Sequence, residues 1–107
     1  LVAGVAYKQD IDDYRESPAL EVIELLERSG AEVDYYDPYI SRYQYHGKTV
    51  QGMTEITPEQ VEIYDLLIVT AAHSNVDYKM LQKHAKAVFD TKNVMKHLAD
   101  RENIEVL

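Results

Sequence analysis

Three cations and one histidine fall where loops leave apolar runs, and these are the residues whose types and positions can do chemistry. Lys8 stands two residues past the apolar run 1–6. Arg15 precedes the pair Ser17-Pro18, at the mouth of an expected helix whose positive dipole end also favours an anion. Lys92 follows the segment Ala87-Val88-Phe89-Asp90. Three cations on two loops of a chain with formal charge −8 suit a small phosphorylated ligand held locally. A plain surface pairing of Arg15 with Glu16 or Asp13 is the alternative, and both readings stand at this point. His73 lies on a loop after the most apolar run, where a capping or hydrogen-bonding role is expected. Asp37, in Tyr36-Asp37-Pro38, reads as an Asp-Pro turn that stops a strand.

Other chemistries find no residues to carry them. Gly4 is the only glycine near the first apolar run, so neither a G-x-G-x-x-G fingerprint nor a Walker loop is present. His46, His73, His84 and His97 contain no i, i+4 pair, and there is no cysteine, so no metal site is expected. The absence of cysteine also removes disulfides and a thiolate nucleophile, and it fits a reducing cytoplasm. With 11 Lys+Arg against 19 Asp+Glu, the chain repels nucleic-acid phosphates and offers no polybasic segment to a membrane surface. No apolar run approaches the roughly 20 residues of a membrane span. Five tyrosines, Tyr35, Tyr36, Tyr39, Tyr43 and Tyr45, crowd one segment, and half-buried phenols there suit an interface.

The elements that must hold these residues alternate between strand and helix. Residues 1–6 read as a strand buried on both faces. Ser17-Pro18 caps a helix whose apolar stripe is Ala19, Ile23 and Leu26, with Val22 and Leu25 beside it, and Ser29-Gly30 ends it. Residues 31–36 form a second strand. Residues 39–56 are irregular, with Lys48-Thr49-Val50 as a short edge strand. Thr57-Pro58-Glu59-Gln60 opens a short helix, residues 66–70 a central strand, and residues 78–84 another helix. A strand over residues 87–90, a helical turn or two through Leu98, and a strand over residues 104–107 complete the pattern. The expectation is a three-layer, Rossmann-like α/β domain with a mainly parallel sheet of five or six strands. Its ligand belongs beyond the carboxyl ends of the strands, which selects the loops 7–17, 71–77 and 90–93. A single domain of this size, opening within a strand, is expected to be part of a larger protein.

The run Gly4-Val5-Ala6-Tyr7-Lys8-Gln9-Asp10, with Asp13, Arg15-Glu16-Ser17-Pro18-Ala19, Tyr36-Asp37-Pro38 and Phe89-Asp90-Thr91-Lys92-Asn93, resembles the C-terminal UDP-binding domain of nucleotide-sugar 6-dehydrogenases. The likeness covers nearly the whole chain. Residues 33–39 and 73–78 are most similar to UDP-N-acetylglucosamine 6-dehydrogenases. The resemblance implies that residues 1–107 are the UDP-sugar-binding domain of a larger, homo-oligomeric enzyme. That enzyme would oxidise the sugar C6 hydroxyl to a carboxylate in two NAD-dependent steps, through a thioester on a cysteine of another domain. It further implies that Tyr7 and Lys8 approach the UDP-sugar across the domain cleft. Arg15 would reach towards the NAD, which is bound mainly by an N-terminal domain. Lys92 stands where most relatives carry arginine, so a bidentate contact becomes a point charge. No catalytic residue is assigned to this chain, which alone is expected to be inactive. The competing reading is a stand-alone nucleotide-binding or regulatory α/β module.

Overall fold

The computed structural model describes residues 1–6, 8, 10, 13–15, 17–96, 98 and 103–106. Tyr7, one of the expected ligand residues, lies outside them. Five parallel strands, β1 (Val2–Ala3), β2 (Tyr35–Tyr36), β5 (Leu67–Val69), β6 (Val88–Asp90) and β7 (Ile104–Val106), form one sheet in the order β2-β1-β5-β6-β7. Adjacent residues on a strand face opposite sides, and the core divides accordingly. Val2 and Tyr35 point to one side, with Val5, Ala6, Ile40 and Tyr43. Ala3, Tyr36, Leu67, Val69 and Val88 point to the other, with Val61, Leu81 and Met95.

Helix α1 (Pro18–Arg28) covers the first side. Ser17 Oγ accepts from the Ala19 amide, and Pro18 at the first position lacks an N–H that would be unsatisfied anyway. Ala19 and Ile23 of the expected stripe are buried and Val22 and Leu26 half-buried, but Leu20 joins the buried set and Leu25 is exposed. The helix is rotated so that Leu20, not Leu25, meets the sheet. Helices α2 (Pro58–Glu62) and α3 (Tyr78–His84) cover the second side through Val61 and Leu81. The α2 start is a full capping box between Thr57 and Gln60. Crossovers that run in opposite directions from β1 place their helices on opposite faces, as right-handed connections require.

The segment 39–56 departs from expectation. It holds a hairpin, β3 (Arg42–Tyr45) and β4 (Lys48–Gln51), so Lys48-Thr49-Val50 pairs with β3 rather than lying on the edge of the main sheet. His46 and Gly47, with φ of 48° and 77°, make the two-residue turn whose twist matches the flanking strands. Tyr43 is buried from the hairpin into the α1 side of the core, against Tyr14 and Tyr35. After β6 the chain turns at residues 91–92 and 94–96, and the Leu98 amide on the Met95 carbonyl at 3.1 Å makes one tight turn of the stretch expected through Leu98.

Candidate functional site

Because every strand of the main sheet runs the same way, the loops after β1, β2, β5 and β6 emerge on one edge. The chain leaves β1 towards β2 on one side, while β5 pairs on the other, so the crevice between β1 and β5 is the switch point in strand order. Gly4 and Ala71 meet there. Gly4 has a φ of 100°, and a side-chain carbon on it would lie 2.5 Å from the Ala71 Cβ. The hydrogen of Gly4 is what lets the two strand ends close.

Asp37, at the end of β2, ties these loops together. It is wholly buried. Its Oδ2 accepts from the Val5 amide at 2.9 Å and the Ala6 amide at 3.3 Å. Its Oδ1 accepts from the Tyr39 amide at 2.8 Å and the Ile40 amide at 3.3 Å. The Asp-Pro turn of the sequence reading is present, but the carboxylate also fixes the end of the neighbouring strand. Burial alone pushes this carboxyl up; hydrogen bonds from His73, Tyr39 and Val5 outweigh it and hold Asp37 below its ordinary value.

The fifth donor to Asp37 is His73. The imidazole is wholly buried, and its Nε2 lies 3.0 Å from Asp37 Oδ2. Its Nδ1 accepts from the Asp10 amide at 2.7 Å, which assigns the single ring proton to Nε2. The Tyr39 ring meets the imidazole edge-on at 4.9 Å, and the Tyr78 hydroxyl donates to the His73 carbonyl at 2.8 Å. Asp10 is gripped a second time: its Oδ1 accepts from the Ser74 amide at 2.7 Å and its Oδ2 from the Ser74 hydroxyl at 2.9 Å. These bonds hold the Asp10 carboxyl below its usual range.

The two remaining loops are fixed in a similar way. Thr70 Oγ1 donates to the carbonyls of Ala3 and Gly4, and Thr91 Oγ1 to the Val69 carbonyl at 2.5 Å. Asp90, also wholly buried, accepts from the Lys92 amide at 3.1 Å and the Met95 amide at 2.9 Å, which shapes the turn that carries Lys92.

Lys8, Arg15 and Lys92 are all exposed, the first two on the connection from β1 to α1 and the third after β6. The Arg15 guanidinium is bidentate to Asp13, with both N···O distances at 3.0 Å, so the pairing that the sequence offered as the plain alternative is formed. These bonds lower the Asp13 carboxyl. Arg15 nonetheless borders a hollow of about 480 Å³ with Tyr14, Ser17, Gln44 and Tyr45. A second hollow, about 610 Å³, sits at the opposite edge of the sheet; among the described residues, Glu32, Asp34 and Asp65 line it with no lysine or arginine, which does not suit a phosphate. The sequence reading noted Asp37 and His73 singly and missed their pairing. They lie 36 residues apart, and no spacing rule joins them.

Residues 1–97 match the family described as UDP-glucose/GDP-mannose dehydrogenase, UDP binding domain. The chain is 32% identical over 104 residues to the UDP-N-acetyl-D-mannosamine dehydrogenase of Methanococcus maripaludis, covering 90% of this chain and 23% of that protein. It is 32% identical over 114 residues to the enzyme of the same name from Methanocaldococcus jannaschii, covering 98% and 25%. Among solved structures, the UDP-N-acetyl-mannosamine dehydrogenase of Staphylococcus aureus superposes with a TM-score of 0.67 at 31% identity, over 98% of this chain and 24% of that one. The UDP-D-ManNAc dehydrogenase of Pyrococcus horikoshii superposes with a TM-score of 0.70 at 28% identity, covering 98% and 24%. The chain thus spans about a quarter of the length of these relatives. A parallel sheet with its loops clamped at the switch point, and a match over residues 1–97, have one common meaning: the chain belongs to the UDP-glucose/GDP-mannose dehydrogenase family, as its UDP-binding domain.

Proposed function

We propose that residues 1–107 are one domain of a longer, cytoplasmic, homo-oligomeric enzyme that oxidises the C6 hydroxyl of a UDP-linked N-acetylhexosamine to a carboxylate with NAD. The observation that carries this reading is the position of Lys8, just beyond β1 at the switch point, in a chain that matches a UDP-binding domain. Lys8, with Tyr7, is assigned to the UDP-sugar, and Lys92 to a further point charge on the same ligand. Arg15 is assigned to NAD held by another part of the enzyme. The residues described here do not themselves form a dinucleotide cradle, because the space beside Gly4 is filled by Ala71 and no second glycine follows it. No step of the oxidation is therefore given to this chain. The sequence likeness favours the glucosamine epimer, and the names of the relatives favour the mannosamine one; the acetamido sugar is common to both.

Binding of UDP tests the reading. The isolated chain is expected to bind UDP weakly but saturably, since part of the cleft wall is absent and ligand polar groups stay in water. In the longer enzyme, Lys8→Ala is expected to lower kcat/KM for the UDP-sugar by about tenfold or more, or about 1.4 kcal/mol. Arg15→Ala is expected to raise the KM for NAD instead. A Lys8→Ala enzyme with wild-type kinetics for both substrates overturns the assignment, and parallel assays with the two epimers name the sugar.

A further inference from the structure

Lys8 sits at the surface, yet the chain two residues on is fastened to the interior. The Asp10 amide donates to a wholly buried imidazole, and the Asp10 carboxylate accepts twice from Ser74, the next residue along the β5 loop. Asp10 has a φ of 60°, in the left-handed region that residues with a side chain adopt uncommonly. The imidazole is itself held from behind, because Nε2 donates to Asp37, whose carboxylate is locked by four backbone amides. Tyr39 flanks the ring and Tyr78 fixes the backbone of His73. Packing alone needs none of this. An apolar side chain in the same space would fill it without a buried polar ring that must find two partners.

We propose that His73 and Ser74 form a clasp that positions the Lys8 segment for the nucleotide, with His73 relaying the rigidity of the Asp37 hub to the Asp10 amide. His73 is thus a positioning residue, not a catalytic one. The inference rests on the UDP reading of Lys8, and the two are separable by experiment. A loop held in place before binding loses less freedom when the ligand arrives, so the clasp acts on affinity.

The two ring nitrogens allow a contrast of variants. Asparagine places an amide oxygen near the Nδ1 position and can keep the bond from Asp10 while losing the one to Asp37. Glutamine places its amide near Nε2 and keeps the Asp37 bond while losing the one from Asp10. Amide hydrogen exchange at Asp10, followed by NMR on the 107-residue chain, reads the clasp without any ligand. His73→Gln is expected to speed this exchange by about tenfold, the equivalent of one lost hydrogen bond, and His73→Asn to restore most of the protection. UDP titrated into the same samples is expected to bind the Gln variant about five- to tenfold more weakly than the Asn variant. A role in core stability alone predicts that exchange and affinity follow the melting temperature in both variants, and that result overturns the clasp. Should the buried substitutions prevent folding, Ser74→Ala alters only an exposed side chain. It is expected to speed exchange at Asp10, and unchanged exchange overturns the proposal. A wild-type chain that ignores UDP overturns the nucleotide reading, while exchange at Asp10 still decides the clasp.

Discussion

Asp37 carries a full negative charge out of water, and it does so because five donors converge on its two oxygens. Its carboxyl is lowered in the folded chain relative to the ordinary 3.8. The folded state therefore releases the proton more readily than the unfolded one, and Asp37 contributes stability above about pH 4. That contribution fades as pH falls through the folded value. Asp37→Asn sets an NH₂ donor among donors and is expected to cost about 1–3 kcal/mol at pH 7. It should also flatten the loss of stability as pH falls below about 4. Urea midpoints at pH 7 and pH 3 check both, and a variant as acid-sensitive as the parent removes Asp37 from the cause. Asp37 and His73 were each visible in the sequence as polar residues at loop starts. Their joint burial was not, because it depends on two strand ends that meet only in the folded sheet.

Helix starts were the most legible elements, since Ser17-Pro18 and Thr57-Pro58 write local chemistry that the backbone obeys directly. Helix α3 falls on the residues the sequence assigned to it. Strand positions were legible but their lengths were not: β1 and β2 each hold two residues, where runs of six were expected. A buried apolar run marks where the chain enters the core, whereas pairing stops where strands diverge at the crevice. The hairpin was missed because Arg42-Tyr43-Gln44-Tyr45 alternates tyrosine with polar side chains rather than aliphatic ones, and its turn begins with a histidine at positive φ. The junction of β1 with β5 yields a test of its own. Gly4→Ala meets both the φ of 100° and a collision with Ala71, so it is expected to destabilise by about 2–4 kcal/mol. Calorimetry should show the melting temperature falling by roughly 10 °C or more. A smaller change means that the strand ends can part, and that the crevice is less rigid than its contacts imply.

At the scale of the molecule, and among the described residues, one helix covers one side of the sheet over β1 and β2, while two helices and the turns after β6 cover the other. Ile68 and Phe89, which share the α1 side with Val2 through the strand register, are only half-buried. The parallel order and the helices on both faces followed from alternation of strand and helix signals. The unequal cover of the two faces did not, because it reflects how far each helix reaches across a twisted sheet rather than its composition. The fold thus divides its labour by edge. Buried aspartates and half-buried threonines fix the carboxyl edge from within, and Lys8 and Lys92 lie exposed on that edge.

The tyrosine cluster packed beneath the hairpin has an optical consequence. The chain holds nine tyrosines and no tryptophan, so its near-ultraviolet absorption is that of phenol. Burial pushes the Tyr43 and Tyr64 phenols up to about 12, and it raises Tyr35, Tyr36 and Tyr78 as well. Unfolded tyrosines ionise near pH 10. Above that pH the unfolded chain has shed phenolic protons that the folded chain retains, and stability falls as pH rises. A base titration followed at the phenolate band should therefore lag in water behind the same titration in concentrated denaturant, then catch up abruptly as the fold opens. Superimposed curves would mean that these rings are reached by hydroxide in the folded state. The protein thus carries its own indicator dye, whose change of colour reports the integrity of the core without any added label.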